Sequence, residues 1–350
     1  MKISIVTVGY HSSKTLAKLL ESLAQQTDKD FDMFLINNSQ DDSDIISTFC
    51  AQYPFVSFTT SPVNNGFAGG NNIGIRKAIA DGADWVILLN PDTETGPELI
   101  SELRAGLKDL KGLVGFPIQE PTQKVWGGKI EWLKPELAQN TSHPHSDFYT
   151  HGGAMAIHRE TIEKIGYLPE EYFLYFEDVA YSIKAREAGI KLTYLDKPTI
   201  SHLVSASTKA LGSATVLRYH YRNSLYLNFE HAPLIYKISA IFWSVFVFVK
   251  QVFKLLTNNH PTESRAIMAG IADFYTEKMG RISNKIKVGI ECEQIEEEIW
   301  GVGKIITKLL EDISKRPELE KDFEFHLYFK SKIPKLSFLD NPIFYKKVIE

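Results

Sequence analysis

The chain has 350 residues, 44% of them hydrophobic and 23% charged, a globular balance that excludes a long disordered or fibrous protein. Its length suggests about two folded units. Lys and Arg total 39 against 43 Asp and Glu, for a net charge of −4, which argues against a dedicated nucleic-acid binder with its usual basic excess.

From the N-terminus, Ile3–Gly9 is β-branched and apolar, as expected of a strand buried on both faces. The apolar run is too short for a signal peptide and has no small-residue cleavage site. Cys50 and Cys292 are the two cysteines and match no metal or redox spacing. Together these features fit a reducing cytoplasm. Ser12 or Ser13 can cap a helix in which Leu16, Leu19, Leu20 and Leu23 recur on one face. Phe31–Ile36 and Phe55–Thr60 are predicted strands, with the turn-rich NNSQDDS between them. A helix is predicted over Asn71–Ala80 after a glycine-rich loop. The apolar strand Trp85–Leu89 ends in Asn90-Pro91-Asp92, and a helix over Pro97–Leu107 and a strand over Leu113–Pro117 follow.

Such alternation predicts an α/β fold with a mostly parallel sheet covered on both faces. Ligands bind such sheets at the C-terminal ends of the strands. The polar and glycine clusters at Gly9-Tyr10, Asn37-Asn38-Ser39, Asn64–Asn72 and Asn90–Asp92 fall there, so one shared pocket is expected. Farther along, a helix is predicted to open near Glu177-Asp178 and stop at Gly189. A strand over Lys191–Leu195 precedes His202, and Thr215–Phe229 reads as an amphipathic helix. Ile238–Val249 carries no charge and is flanked by Lys237, Lys250 and Lys254. It reads equally as a buried core helix, or as a helix lying in a membrane interface; it is shorter than a span needs. After about residue 282 the pattern restarts with a strand over Ile286–Ile290, a Gly301-Val302-Gly303 turn into a helix, and a strand over Phe323–Phe329. The expected regions are 1–230, 231–282 and 283–350.

Four signals could carry chemistry. Asn64–Ile75 packs four glycines and four asparagines into a dozen residues, which suits close backbone approach to a ligand and N–H groups aimed at a phosphate. A surface loop with capping asparagines is the alternative. Asp92 follows an apolar strand and could bind Mg²⁺ or Mn²⁺, although Pro-Asp is also plain turn chemistry. Glu177 and Asp178 open a helix, whose N-terminus favours an ionised acid able to take a proton; alone they could be a cap and a first-turn acid. His202 could be a metal ligand or a structural histidine.

The ordered set SIVTVGY, NNSQDDS, NNGFAGGNNIGI, LLNPDT, GGAMAIHR, FLYFEDVAYSIKAREAG, ISH and YRNS resembles the inverting glycosyltransferases of family 2, and among them the bacterial rhamnosyltransferases of surface-polysaccharide assembly. The resemblance covers about residues 2–282. It implies a GT-A fold, a nucleotide-sugar donor, dTDP-rhamnose or a relative, a divalent metal, and a glycan or polyprenyl-diphosphate-linked acceptor met at the cytoplasmic face of the membrane. By position it implies Asp178 as the catalytic base beside Glu177, and Asp92 with His202 at the metal. Tyr10, Asn37, Asn38, Asn65, Gly66, Gly69, Gly70, Asn72, Asn90 and Asp92 would hold the donor, and Gly152 and Gly153 would border the acceptor. Arg222-Asn223 matches a recurrent pair with no role assigned. Two positions depart from the family pattern. Asn90 replaces an aspartate of the metal motif, and Ile36 replaces the aspartate that contacts the nucleobase, which shifts base recognition to backbone, Asn37 or Asp41. The tail IKVGIECEQIEEEIWGVGKIITKLLEDI is similar to the opening of family 4 glycosyltransferases of GT-B fold. It is expected to be a partial Rossmann-like fragment without a second activity. A nucleotidyltransferase of similar sheet, or an inactive scaffold, are the competing readings.

Overall fold

The computed structural model describes residues 1–120, 123–140, 148–202, 213–282, 286–296, 301–316, 318–319, 323–341 and 343–349. Two compact units divide the chain, Met1–Arg281 and Ile282–Glu350.

The first unit opens with β1 (Ile3–Gly9), α1 (Leu16–Ala24), β2 (Phe31–Asn37), α2 (Ser43–Cys50), β3 (Val56–Thr60), α3 (Gly66–Ala80) and β4 (Trp85–Leu89). The four leucines of α1 are fully buried against the sheet, as their spacing predicts. Then come β5 (Thr93–Thr95), α4 (Leu99–Leu107), β6 (Leu113–Gly115), β7 (Ile118–Gln119), β8 (Lys124–Val125), β9 (Gly127–Glu131), β10 (Glu136–Asn140), β11 (Tyr149–Thr150) and β12 (Ala154–His158). The remainder is α5 (Arg159–Ile165), α6 (Glu177–Glu187), β13 (Leu192–Tyr194), β14 (Ile200–His202), α7 (Ser213–His231), α8 (Leu234–Leu256) and α9 (Pro261–Tyr275).

Seven strands form the central sheet in the order β13-β6-β12-β4-β1-β2-β3. β12 runs antiparallel to both neighbours and the other pairs are parallel. One face packs Ile3, Ile5 and Leu35 on α1 and α4, and the other packs Val6, Phe34 and Val86 on α3 and α6. This doubly covered α/β sheet bears out the expected GT-A class. The chain order reverses between β1 and β4, and their C-terminal tips therefore diverge into a crevice.

Two local expectations change. Residues 66–70 are not a loop; α3 begins at Gly66 and carries Gly69, Gly70, Asn71 and Asn72 as buried helical residues. The glycines of this helix answer to packing, since a Cβ at Gly74 would lie 2.4 Å from Val6 Cγ1. Helix α8 spans 23 residues, well beyond its uncharged run, and is long and apolar enough to cross a membrane by length and composition.

Helix α8 also wears its polarity inside out. Its stripe buried against α7 and α9 is Ala240, Ser244, Val247 and Gln251. Ser244 Oγ lies 2.8 Å from Tyr275 Oη, and Ser264 Oγ donates to Gln251 Oε1 at 3.0 Å. Phe242, Val245, Phe246, Val249 and Phe253 point outward, Phe242 71% exposed.

The second unit is a parallel three-stranded sheet of Ile286–Glu291, Phe323–Phe329 and Phe344–Val348, in that order, with a helix over Val302–Ser314. Its small core includes Cys292, Leu310, Phe325, Leu327 and Leu339. This is the parallel β-α-β arrangement expected of the tail.

Candidate active site

The strand tips and the start of α6 enclose a cavity of about 610 Å³. Of the residues singled out in the sequence, Tyr10, Asn38, Gly66, Asn90, Asp92, Gly152, Gly153, Glu177 and Asp178 all line it. Asn37, Asn65, Gly69, Gly70 and Asn72 do not. Asn37 is fully buried and its amide is used within its own turn: Nδ2 donates to Ser39 O at 2.5 Å and Asp42 Oδ1 at 3.2 Å, and Oδ1 accepts from Ser39. Asn65 Nδ2 donates to Ser61 Oγ at 2.6 Å, and Asn72 ties α3 to Leu168 and Glu170. Ile36 is buried, and Asp41 faces His11 at 3.1 Å. Both Nδ2 hydrogens of Asn37 are thus engaged within its own turn, whereas the Asp41 carboxylate is exposed.

On the strand-tip wall, Tyr10 packs edge-on to His11, their ring centres 4.3 Å apart. Asn38 Nδ2 donates to Gly66 O at 2.8 Å, which leaves its buried Oδ1 without a partner among the described residues. A buried acceptor of this kind is costly unless a donor meets it, and here it borders the cavity. Asp92 is only 3% exposed. Strand β5 follows it at once and pairs antiparallel with β14, setting His202 opposite Thr93. The backbone of His202 thus lies beside the Asp92 turn, while its side chain lies outside the described residues.

No group of three metal-ligating side chains converges among the described residues. One buried carboxylate on a cavity wall still suits a magnesium-like ion, which keeps waters and takes further oxygens from a substrate's phosphates.

The opposite wall carries the acids. Asp178 accepts at Oδ2 from Gly152 N–H and at Oδ1 from Val179 N–H, both at 2.8 Å. These bonds at the first turn of α6 fix its carboxylate toward the cavity. Gly152 and Gly153 permit close approach, for a Cβ at Gly153 would sit 2.7 Å from Asn90 Nδ2. Glu177 is in a different state. It is buried, its Oε2 has no partner among the described residues, and burial, reinforced by the Asp178 charge, holds its carboxyl well above the usual range. Both adjacent acids border the cavity, Asp178 engaged by two backbone N–H groups and Glu177 with an unpartnered Oε2 among the described residues. Burial also pushes the Tyr149 phenol up, with the Asp178 charge adding to it.

The segment that presents these acids is strained. Phe173, Tyr175 and Phe176 all have positive φ (64°, 66° and 74°), a region that costs non-glycine residues about 1–3 kcal/mol each. The Arg222-Asn223 pair holds it. Asn223 Nδ2 lies within 2.9 Å of the carbonyl oxygens of Tyr172, Leu174 and Tyr175. Arg222 donates to Tyr172 O, Lys278 O and Gly280 O and to Asn223 Oδ1. Burial pulls its guanidinium down to about 10, so it stays charged at neutral pH. From the other side, Phe67 N–H donates to Phe173 O at 2.7 Å.

Asn64, at the head of the asparagine-glycine segment, lines the cavity as expected, whereas sequence reasoning missed Glu120, Leu137, Tyr149, His151 and His220. None of these five sits in a motif. The pairing of β9 with β10 and β11 and the packing of α7 bring several of them in.

Comparison with known proteins agrees with this geometry. Residues 4–166 match glycosyl transferase family 2. The low-salt glycan biosynthesis hexosyltransferase Agl10 of Haloferax volcanii is 27% identical over 54% of this chain and 63% of its own, so the chain spans less than two thirds of that relative. An N-acetylglucosaminyl-diphospho-decaprenol L-rhamnosyltransferase of Mycobacterium tuberculosis is 24% identical over 66% of this chain and 85% of its own. The dTDP-rhamnosyl transferase RfbF of Shigella flexneri is 24% identical over 52% and 66%. The match to glycosyl transferase family 2 thus takes in the strands β1 to β4 and the turn that carries Asp92, and ends before the acid pair at 177–178.

Proposed function

We propose that the chain is an inverting glycosyltransferase that moves a sugar, rhamnose from dTDP-rhamnose, to a saccharide carried on a polyprenyl diphosphate in surface-polysaccharide synthesis. The observation that carries this reading is that Asp92 and Asp178 line one cavity. The names of the rhamnosyltransferase relatives support the donor sugar and the lipid-linked acceptor.

Tyr10 and Asn38 on the strand-tip wall would hold the nucleoside diphosphate. Asp92, with His202 beside it in register, is the carboxylate that would hold a divalent cation, whose chemistry is to neutralise the diphosphate leaving group. Across the cavity Asp178 accepts the proton of the attacking hydroxyl. The new bond from that oxygen to the anomeric carbon forms as the bond to the diphosphate oxygen breaks, and the nucleoside diphosphate departs. One base and one displacement favour inversion.

Helix α8 supports work at the cytoplasmic face of a membrane. A helix with serine and glutamine inside and phenylalanines outside suits an apolar surrounding better than water. Lys250 and Lys254 border one edge of the outward apolar face and Lys237 the other, so their ammonium groups can reach anionic headgroups. The purified chain should bind phosphatidylglycerol vesicles better than phosphatidylcholine vesicles, and Phe242→Glu with Phe246→Glu should abolish that binding; equal binding by the double variant would contradict it.

The reading as a whole is tested by a panel of nucleotide sugars with Mg²⁺ or Mn²⁺. A nucleoside diphosphate released in step with transfer is expected. Release of pyrophosphate would identify a nucleotidyltransferase, and a cooperative melt without donor binding would identify an inactive scaffold.

A further inference from the structure

A second, smaller cavity of about 240 Å³ adjoins the first. Pro135, Glu136, Leu137, His220, Tyr221 and Trp243 line it, and Leu137 and His220 line the main cavity as well. The two hollows therefore meet at Leu137 and His220, which border both. The His220 ring is half-buried, and burial pushes its imidazole below the ordinary value, with Glu136 opposing the shift. At the far side Tyr221 and Trp243 stack with centres 5.7 Å apart and planes 14° from parallel. Both rings are half-buried, so part of the stack faces the hollow. Glu136 is exposed, and its charge acts on both His220 and Tyr221.

We propose that this small cavity is a saccharide subsite for the acceptor. Its size is below the usual range for a whole small-molecule ligand, about 300–1,000 Å³, so it suits one part of a larger molecule whose reactive end lies in the main cavity. An aromatic stack beside a solvent-facing carboxylate is the chemistry that recognises a sugar ring. The C–H face of the ring lies on the aromatic surface, and its hydroxyls donate to Glu136. Trp243 belongs to α8, the helix whose other face is apolar and outward. A lipid-linked saccharide can thus rest its sugar at Trp243 while its chain follows α8.

This inference rests on the transferase reading and is tested separately from it by direct binding to the full chain. The probes are N-acetylglucosaminyl-diphospho-farnesol and farnesyl diphosphate, measured by calorimetry, with dTDP-rhamnose binding recorded on the same samples. Trp243→Leu should weaken the sugar-bearing probe at least tenfold and Glu136→Gln about threefold, while Trp243→Phe restores most of the affinity. Donor affinity and melting temperature should hold in the surface variant Glu136→Gln. Wild-type affinity for the sugar-bearing probe in both Trp243→Leu and Glu136→Gln overturns the subsite. So does equal weakening of the two probes, which would assign the hollow to the chain. Failure of dTDP-rhamnose to bind any sample counts against the donor assignment and leaves the saccharide measurement standing.

Discussion

The two walls of the main cavity are built by different means. The strand-tip wall rests on β1, β2 and β4, whose ladder hydrogen bonds fix the positions of Tyr10, Asn38 and Asp92. The helical wall rests on three residues with positive φ held by the Arg222 and Asn223 side chains, which lie about fifty residues away in the sequence. A sheet sets its side-chain positions through many small backbone contributions. The helical wall concentrates the same task in two buried side chains. Substitutions at the strand tips should therefore remove a chemical contact and leave the scaffold intact, whereas substitutions behind the helical wall should displace a catalytic group without touching substrate.

Among substitutions that leave the Asp178 carboxylate in place, the largest effect is expected from Asp92→Ala. Loss of one preorganised electrostatic contact typically costs on the order of 10²–10³ in rate, and added Mg²⁺ should cease to raise donor affinity. Calorimetry with and without EDTA checks it; an unchanged metal dependence would remove Asp92 from the donor site. Asn223→Ala comes next. Misplacing a catalytic group by about an ångström costs about 10²-fold, so kcat should fall by roughly that factor while the KM for donor stays near wild type. An equal rise in donor KM would show that the two walls are not separable.

The smallest effect concerns stability. A Glu177 carboxyl held above its ordinary 4.5 favours the folded state fully below that value, and the contribution is lost as pH rises through the folded value. This contribution to the melting temperature should decline as pH rises above 4.5 in the wild type. Glu177→Gln should flatten the decline and preserve the fold. A Glu177→Gln profile parallel to the wild type would show that Glu177 is ionised in the folded protein.

Much of the strand-tip wall was legible in the sequence. Apolar runs such as WVILL end abruptly in polar residues, and sheet geometry sends those ends to one place. The boundaries of the glycine segment were not legible. Gly66–Gly70 looks like a loop by composition, and only the closeness of Val6 shows that a helix needs glycine at Gly74. Helix α2 was hidden by the turn-forming residues before it. Arg222 and Asn223 could be matched but not explained, because their partners are carbonyl groups brought near by folding. The inside-out character of α8 also escaped the sequence, since hydropathy reports how apolar a helix is and not which face it buries.

The central claim is that Asp178 is the base across the cavity from the donor phosphates, and Asp178→Asn tests it most directly. The variant removes the proton acceptor and keeps the shape. With a sugar donor and acceptor in hand, the expected result is wild-type donor binding, a cooperative melt and a loss of transfer of about 10²–10⁴-fold, the range of a positioned general base. Transfer at near wild-type rate by the folded variant would contradict it.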